Sequence, residues 1–357
     1  MKEKINLVFL APGNSVHSYR WIKYFSKKYK ITWIYTGKLN DKIKNIKYVN
    51  LSNNLILPFL PFLPLFFLFK IIQLKPNIIH IHSISKNLFI GILAVLFFKK
   101  KVILNPWGSD FFYPNYLVRI LQKFIKNNFI FTDSFQIKNR LKKNNKVFKI
   151  NFGVDLNYFN LKKKKIFINP SKIIFCPRGY DKIYNQFLII KFLKKNFKKL
   201  KKFIFIFSGN INFSEYNKLK KYVDENKLNQ NVKLLGNLNK KTYKQYLLQS
   251  DLVISASKSD AGLSSTIAEA MSSKCLVLCT NNRDNPHWIN DCTSGFLFKN
   301  NNLTNFESKF FKIFKLPNKK LNLVRSLARE TQINNNDLNK EMQKAATIYN
   351  KISSFYY

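Results

Sequence analysis

The sequence predicts an α/β protein made of two Rossmann-like domains facing across a cleft. Three observations carry this expectation. Short, continuous apolar runs alternate with basic helical stretches along the chain, the pattern interrupts and restarts once near its middle, and 357 residues exceed one ordinary core but suit two. Apolar runs that do not alternate are what a parallel sheet covered by helices requires, because both of its faces are buried.

In the first half the expected strands are INLVFLA (5–11), ITWIYT (31–36), NIIHIH (77–82), KVILNPW (101–107) and FIFTDS (129–134). A helix is expected around 17–28, and LFIGILAVLFF (88–98) reads as a helix lying between sheet and solvent. The opening MKEKINLVFLAPG mimics a signal peptide, but its apolar stretch is short and stops at Pro12-Gly13, so it reads as a first strand ending in a turn. The pattern shifts near 147–160, and the basic segment LKKKKIFINPSK (161–172) reads as a linker. The second half restarts with KIIFCPRG (172–179) and a helix near 185–197, followed by strands at 203–210, 231–237, 251–257 and 275–282. From Asp337 a last helix is expected, with Leu338, Met342, Ala345, Ala346 and Tyr349 on one face. The expected division is therefore 1–160, 161–330, and a helix over 331–357 that returns toward the N-terminal domain.

Lys and Arg outnumber Asp and Glu 62 to 18, a formal charge of +44. Such a charge favours nucleic acid, anionic lipid or phosphorylated substrates. Inflation of Lys, Asn, Ile and Phe throughout the chain, as an AT-biased genome produces, accounts for the same number. Even then an acidic membrane surface is favoured. The lysines are spread evenly, with no basic–aromatic stripe or reading helix, so no nucleic-acid partner is expected. The four Cys show no metal-type spacing, and a reduced, cytosolic compartment fits them. The apolar run 55–69 is too short to span a bilayer and is broken by Pro58, Pro61 and Pro64. It reads either as a core loop and helix or as an edge that dips into a bilayer beside basic residues. The expected location is the inner face of the cytoplasmic membrane, peripherally bound.

In open α/β sheets ligands bind beyond the carboxyl ends of the strands, so the loops after strands are where chemistry is sought. After the strand DLVISAS comes KSDAGLSSTIAEAM, with a helix expected to begin near Thr266. Thr266 and Glu269 have capping-box spacing, which alone would explain the acid. Gly262, Ser264 and Ser265 would leave amides open at a positive helix end, which is a cradle for phosphate. Glu269, about a turn along, would then accept hydrogen bonds from ribose hydroxyls. The residues alone leave both readings open.

The stretch SASKSDAGLSSTIAEAMSSKCLVLCTNN (255–282) resembles the donor-binding signature of the family 4, or group 1, retaining glycosyltransferases of the GT-B fold. APGNSVHSYRW (11–21), PNIIHIHS (76–83), NPWGSD (105–110), FGVDLNYFN (152–160), PRGYDKIYN (177–185) and NPHWINDCTSGFLF (285–298) resemble further landmarks of that family in the same order. The resemblance implies transfer of a sugar from a nucleoside diphosphate sugar, such as a UDP- or GDP-sugar, to a glycan or lipid-linked acceptor. It implies a bacterial surface polysaccharide or lipopolysaccharide pathway as the setting, and no cofactor. No DxD-type acidic pair suggests a metal bridge to the diphosphate, so no metal site is expected.

Residue by residue, Glu269 matches the second glutamate of the family's E-x7-E pair and would bind the donor ribose. The first would fall at Ala261, so either Asp260, one position away, serves in its place or that acid is missing. Arg178 and Lys182 match the basic pair that grips the donor diphosphate, and Thr266 belongs to the same donor-binding stretch. Gly236 and Asn237, which a plain turn would also explain, match positions beside the nucleotide base. In the first domain Gly13 and Asn14 would approach the donor phosphate or the acceptor, unless they serve only a tight turn, while His17 and Arg20 would face the acceptor. His82, on a strand with His80, would contact donor or acceptor. Asp110 would orient the acceptor hydroxyl or act as a base, or else merely cap the following segment. Many relatives place a His where this chain has Trp107, so that sugar contact is not expected here. Two alternatives remain open on the residues: a GT-B sugar-nucleotide epimerase and a basic nucleic-acid-binding protein.

Overall fold

The computed structural model describes residues 4–51, 61–84, 86–112, 116–125, 127–143, 145–160 and 171–354. Residues 161–170 of the expected linker (161–172) and the start of the apolar run, 55–60, lie outside them. The chain divides into two compact units, one of Met1–Phe152 with Asn339–Tyr357, the other of Gly153–Leu338.

In the first unit the strands are β1 (Asn6–Leu10), β2 (Lys30–Tyr35), β3 (Lys47–Asn50), β4 (Ile78–His82), β5 (Val102–Asn105), β6 (Phe129–Thr132) and β7 (Lys146–Lys149). They form one parallel sheet in the order β3-β2-β1-β4-β5-β6-β7. Its helices are α1 (Val16–Phe25), α2 (Leu63–Leu74), α3 (Lys86–Phe97), α4 (Gly108–Phe112), α5 (Tyr116–Leu121) and α6 (Phe135–Leu141). The strands at the middle of the sheet, β4 and β5, are buried at every residue, which is why they are mostly Ile, Leu and Val, with only His80, His82 and Asn105 polar.

The second unit holds β8 (Lys172–Cys176), β9 (Phe203–Ser208), β10 (Val232–Leu235), β11 (Leu252–Ser255), β12 (Val277–Asn281) and β13 (Phe296–Lys299). These are again parallel, in the order β10-β9-β8-β11-β12-β13. Helices α7 (Gln186–Lys195), α8 (Ser214–Glu225), α9 (Lys240–Gln249), α10 (Ser265–Ser272), α11 (Asn285–Trp288), α12 (Leu303–Lys315) and α13 (Asn318–Asn335) cover it. Much of the chain's Phe is used here: Phe192 meets Phe306 and Phe310 at ring-centroid distances of 5.0 and 4.8 Å, inside one apolar cluster.

The last helix, α14 (Leu338–Ser354), belongs almost wholly to the first unit. It buries Met342, Ala345, Ala346 and Tyr349 of the expected face, while Leu338 is half-buried. The Tyr349 hydroxyl accepts from Trp21 Nε1 at 3.0 Å and lies 2.6 Å from His80 Nδ1. Glu341 accepts from the amide of Asn151 at 2.7 Å, fixing the start of the helix where the chain leaves β7.

Each sheet reverses its strand order once, between β1 and β4 in the first unit and between β8 and β11 in the second. At such a switch point the crossover helices leave in opposite directions, and the loops beyond the carboxyl ends of the two strands are left uncovered for a ligand.

Candidate functional site

In the second unit the two switch-point strands end in loops that carry Arg178 and Asp260. The two side chains form an ion pair, with only 14% and 5% of their surfaces exposed. Arg178 also lies over the ring of Tyr184, its Cζ 4.6 Å from the centroid, which holds the guanidinium flat. Arg178 Nε and Asp260 Oδ2 are buried and have no hydrogen-bond partner in the protein. Buried polar atoms are nearly always satisfied, so two orphans on one ion pair at a switch point mark a place where polar ligand atoms fit.

Backbone contacts fix the loop that presents Arg178. Gly179 has φ +82° and donates its amide to the Ser208 carbonyl at 3.0 Å. A Cβ on Gly209 would stand 2.3 Å from Gly179 Cα, so the loops after β8 and β9 touch backbone to backbone. The Tyr180 hydroxyl donates to the Leu235 carbonyl at 2.8 Å, joining the end of β10 to the same group. Lys182 opens a short helical turn, exposed and capped by Asp181, whose side chain accepts from Ile183 N at 2.9 Å. The Lys258 amide in turn donates to the Ile183 carbonyl at 2.8 Å. Gly236 and Asn237 are exposed immediately after β10.

Helix α10 differs from expectation. Its N-cap is Ser264, whose hydroxyl accepts from Ile267 N at 3.4 Å, rather than Thr266. Glu269 therefore sits in the second turn, and the capping-box reading fails because Ser264, two positions earlier, already caps the end. Glu269 is buried, as are its helix neighbours from Ile267 to Ser272. The amides of Ser265 and Thr266 lie in the first turn, where no helical carbonyl can reach them. The Gly262 amide is not open: it donates to Asp284 Oδ2 at 2.8 Å, and Gly262 turns there with φ +66°. Asp284, fully buried after β12, is thus a residue of this loop system that sequence reasoning missed. So are Tyr184 and Gly209. Only the glycine carried a signal, since Gly179 and Gly209 both follow strands that are neighbours in the sheet.

In the first unit Gly13 lies in the turn after β1. A Cβ there would meet the Lys38 carbonyl oxygen at 2.7 Å, so glycine is required by close approach of the 35–40 loop. Asn14 is exposed beside it. His17, near the start of α1, packs on Phe152 with ring centroids 4.3 Å apart and tilted by 34°, and meets Trp107 edge-on at 5.9 Å. Arg20 is half-buried on the same helix.

Two first-unit expectations are corrected. His82 is 0% exposed, packed against Phe9, Trp21 and His80, with Nδ1 3.2 Å from Ser18 Oγ. Burial, and to a lesser extent His17, lowers its pKa to about 3, so it is a neutral core imidazole without surface to offer a substrate. Asp110 is 1% exposed and lies within α4 rather than at its cap. Its Oδ2 accepts from the amides of Trp107 and Ile84 at 2.7 and 2.9 Å, clamping the loops after β4 and β5 together. A carboxylate so occupied positions the backbone rather than accepting a substrate proton.

Cys176 and Cys279 are buried, which pushes both thiols up, away from the reactive thiolate. A cavity of about 750 Å³ lined by Lys4, Lys27, Lys30 and Lys75 opens at the amino ends of β1 and β2. It lies at the wrong end of the sheet to serve the switch point.

Two family models match in tandem, "Glycosyl transferase 4-like" over residues 6–139 and "Glycosyl transferases group 1" over residues 159–330. The fold is GT-B, and the chain is a glycosyltransferase. It belongs to the group 1 glycosyltransferases of family 4. No curated protein matches it in sequence. Among solved structures it is similar to a glycosyltransferase from Rickettsia africae, at 21% identity over 98% of both chains with a TM-score of 0.75. It is also similar to HepE of Anabaena in complex with UDP-glucose, at 14% identity over 97% of this chain and 100% of that one, TM-score 0.81. A third likeness is to the lipopolysaccharide outer core galactosyltransferase WaaB, at 15% identity over 97% and 100%, TM-score 0.65. At these identities the structural likenesses speak for the fold.

Proposed function

We propose that the chain is a retaining glycosyltransferase that moves a sugar from a nucleoside diphosphate sugar to a glycan or lipid-linked acceptor. The observation that carries the donor class is the Arg178–Asp260 pair. It stands at the carboxyl ends of β8 and β11 and keeps an unsatisfied buried atom on each partner, and its Asp260 precedes the first turn of α10 by a few residues in sequence. A diphosphate supplies oxygens for Arg178 and for the amides of Ser265 and Thr266, and its charge suits the positive helix end. Lys182, on the exposed turn after Arg178, adds a mobile cation. Glu269 takes the ribose hydroxyls, and the backbone at Gly236 and Asn237 borders the base.

On this reading catalysis is the stabilisation of charge. As the bond between the anomeric carbon and the diphosphate breaks, electrons collect on the leaving phosphate, where Arg178 and the helix amides await them. The incoming hydroxyl approaches on the same face and gives its proton to an oxygen of that phosphate, so the configuration is retained. Asp260 holds Arg178 in place. The first unit supplies the acceptor side through Asn14, His17 and Arg20. The likeness to WaaB and the basic composition support a bacterial surface polysaccharide or lipopolysaccharide acceptor, used at the inner face of the cytoplasmic membrane.

A thermal-shift panel of UDP-, GDP-, ADP- and CMP-sugars tests the donor site. One nucleotide family should raise the melting temperature of the native protein, and Arg178→Ala and Glu269→Ala should each abolish the shift. A shift that both variants keep would place the donor elsewhere.

A further inference from the structure

Ten of the fifteen exposed large apolar side chains recorded among the described residues fall between residues 62 and 124. They lie on α2, the end of α3, α5 and the turn Gln122–Ile125 that follows it, elements packed on one another through α3. Helix α2 shows the arrangement most clearly. Leu63, Phe67 and Ile71, at spacings of four, face the core. Leu65, Phe66, Phe69 and Ile72 form a second apolar face, exposed between 44% and 56%. An α-helix that is apolar on both sides has a non-aqueous environment on both sides. Phe97, 70% exposed, and Tyr116, 80% exposed, extend the same character onto α3 and α5.

The charge carried by this stretch of chain is, at its surface, of one sign. From residue 42 to residue 132 the only acid is Asp110, and it is 1% exposed. The same stretch carries Lys70 on α2, the run Lys99-Lys100-Lys101 directly after α3, Arg119 on α5 and Lys123. With twelve residues α2 is ~18 Å long, too short to cross a bilayer, and no described helix is long and apolar enough to do so.

We infer that this face docks on an anionic phospholipid surface, with the outer side of α2, Phe97 and Tyr116 entering the headgroup region and the surrounding lysines meeting lipid phosphates. A second copy of the chain does not suit it, because pairing two such faces would oppose lysine clusters with no exposed acid between them. The inference extends the proposed function, from which it takes only a lipid-linked acceptor: docking brings the acceptor-side unit to the plane where that acceptor lies.

The test is co-sedimentation of the full chain, without nucleotide, with vesicles of phosphatidylcholine alone or with 30% phosphatidylglycerol as a stated probe composition, on the order of the anionic content that gives a cytoplasmic leaflet its surface potential. Binding should require the anionic lipid and weaken with salt. Phe66→Ser with Phe69→Ser, and separately Lys99→Glu with Lys100→Glu and Lys101→Glu, should each weaken it roughly tenfold or more. Ile211→Ser with Phe213→Ser, equally exposed in the other unit, should leave it unchanged. Circular dichroism checks that each variant is folded. Absence of binding to anionic vesicles, binding untouched by the two Phe changes, or a dimer that those changes dissociate would each overturn the inference. The donor thermal shift is read separately, so a native chain that gives the shift but does not bind anionic vesicles sinks this inference alone, and one that binds vesicles without the shift sinks the donor site alone.

Discussion

Arg178 and Asp260 are paired across the switch point of the second sheet, at the ends of neighbouring strands β8 and β11, with 14% and 5% of their side chains exposed. Removing one partner of a pair this far from water leaves the other charge uncompensated. Asp260→Asn is therefore expected to destabilise the second unit by ~2–4 kcal/mol. Urea unfolding measures this. A change below ~0.5 kcal/mol would mean the pair is no more than a surface contact.

The close approach of Gly209 to Gly179 makes a second expectation. Gly209→Ala places a methyl 2.3 Å from Gly179 Cα, in backbone that cannot swing away. The cost is ~1–3 kcal/mol, and because the Arg178 loop is what moves, donor affinity should fall with it. Gly236→Ala is the control for stability alone, since the nearest atom to its Cβ is a side-chain methyl at 4.0 Å. Equal losses of melting temperature from the two changes would contradict the argument.

His80 and His82 set a pH dependence. Both are fully buried and their pKa values are lowered chiefly by burial, His82 to about 3 from an ordinary 6.5. His17 and Tyr349 face them, the Ser18 hydroxyl lies 3.2 Å from His82 Nδ1, and Phe9 and Trp21 pack on their rings. Below pH 6.5 the unfolded chain takes up protons that the folded one refuses, so the stability these residues contribute is full above that pH and is lost as pH falls toward 3. Between pH 7.5 and pH 5 the loss from His82 is ~2 kcal/mol, with His80 adding in the same direction. His82→Gln should flatten the decline of melting temperature over this range. An unchanged slope would show that other groups cause it.

Asp110 clamps two loops through the amides of Ile84 and Trp107. Asp110→Ala should destabilise the first unit by ~2–4 kcal/mol by leaving buried amides unpaired. Asp110→Asn, which keeps one acceptor oxygen, should retain turnover and its pH profile. Loss of a basic limb from that profile in Asp110→Asn would restore the catalytic role that sequence reasoning allowed.

The sequence carried the interior of both sheets and one edge strand, β10, but not the other three edges. The strands it left out are β3, β7 and β13, each four residues long and each the last strand at a sheet edge. An edge strand is covered less completely, so KYVN and KVFK lack the continuous apolar run that marked β1 or β4. For the site, order along the chain was enough to bring Arg178, Asp260 and Glu269 to attention. It could not show that Arg178 and Asp260 neutralise one another, because that depends on the neighbouring placement of β8 and β11. Nor could it distinguish a rare histidine aimed at a substrate from one filling the core: His82 lies on the fully buried middle strand, and only packing reveals that.

The central claim is that Arg178 holds the diphosphate and Glu269 the ribose of one bound donor. Isothermal titration with the nucleoside diphosphate of the preferred base, its monophosphate and its 2′,3′-dideoxy diphosphate tests it in native protein, Arg178→Ala and Glu269→Ala. Removing the β-phosphate should weaken binding to the native protein and to Glu269→Ala but scarcely to Arg178→Ala, while removing the ribose hydroxyls should weaken all but Glu269→Ala. Losses that simply add, with each ligand change equally damaging in every variant, would contradict it.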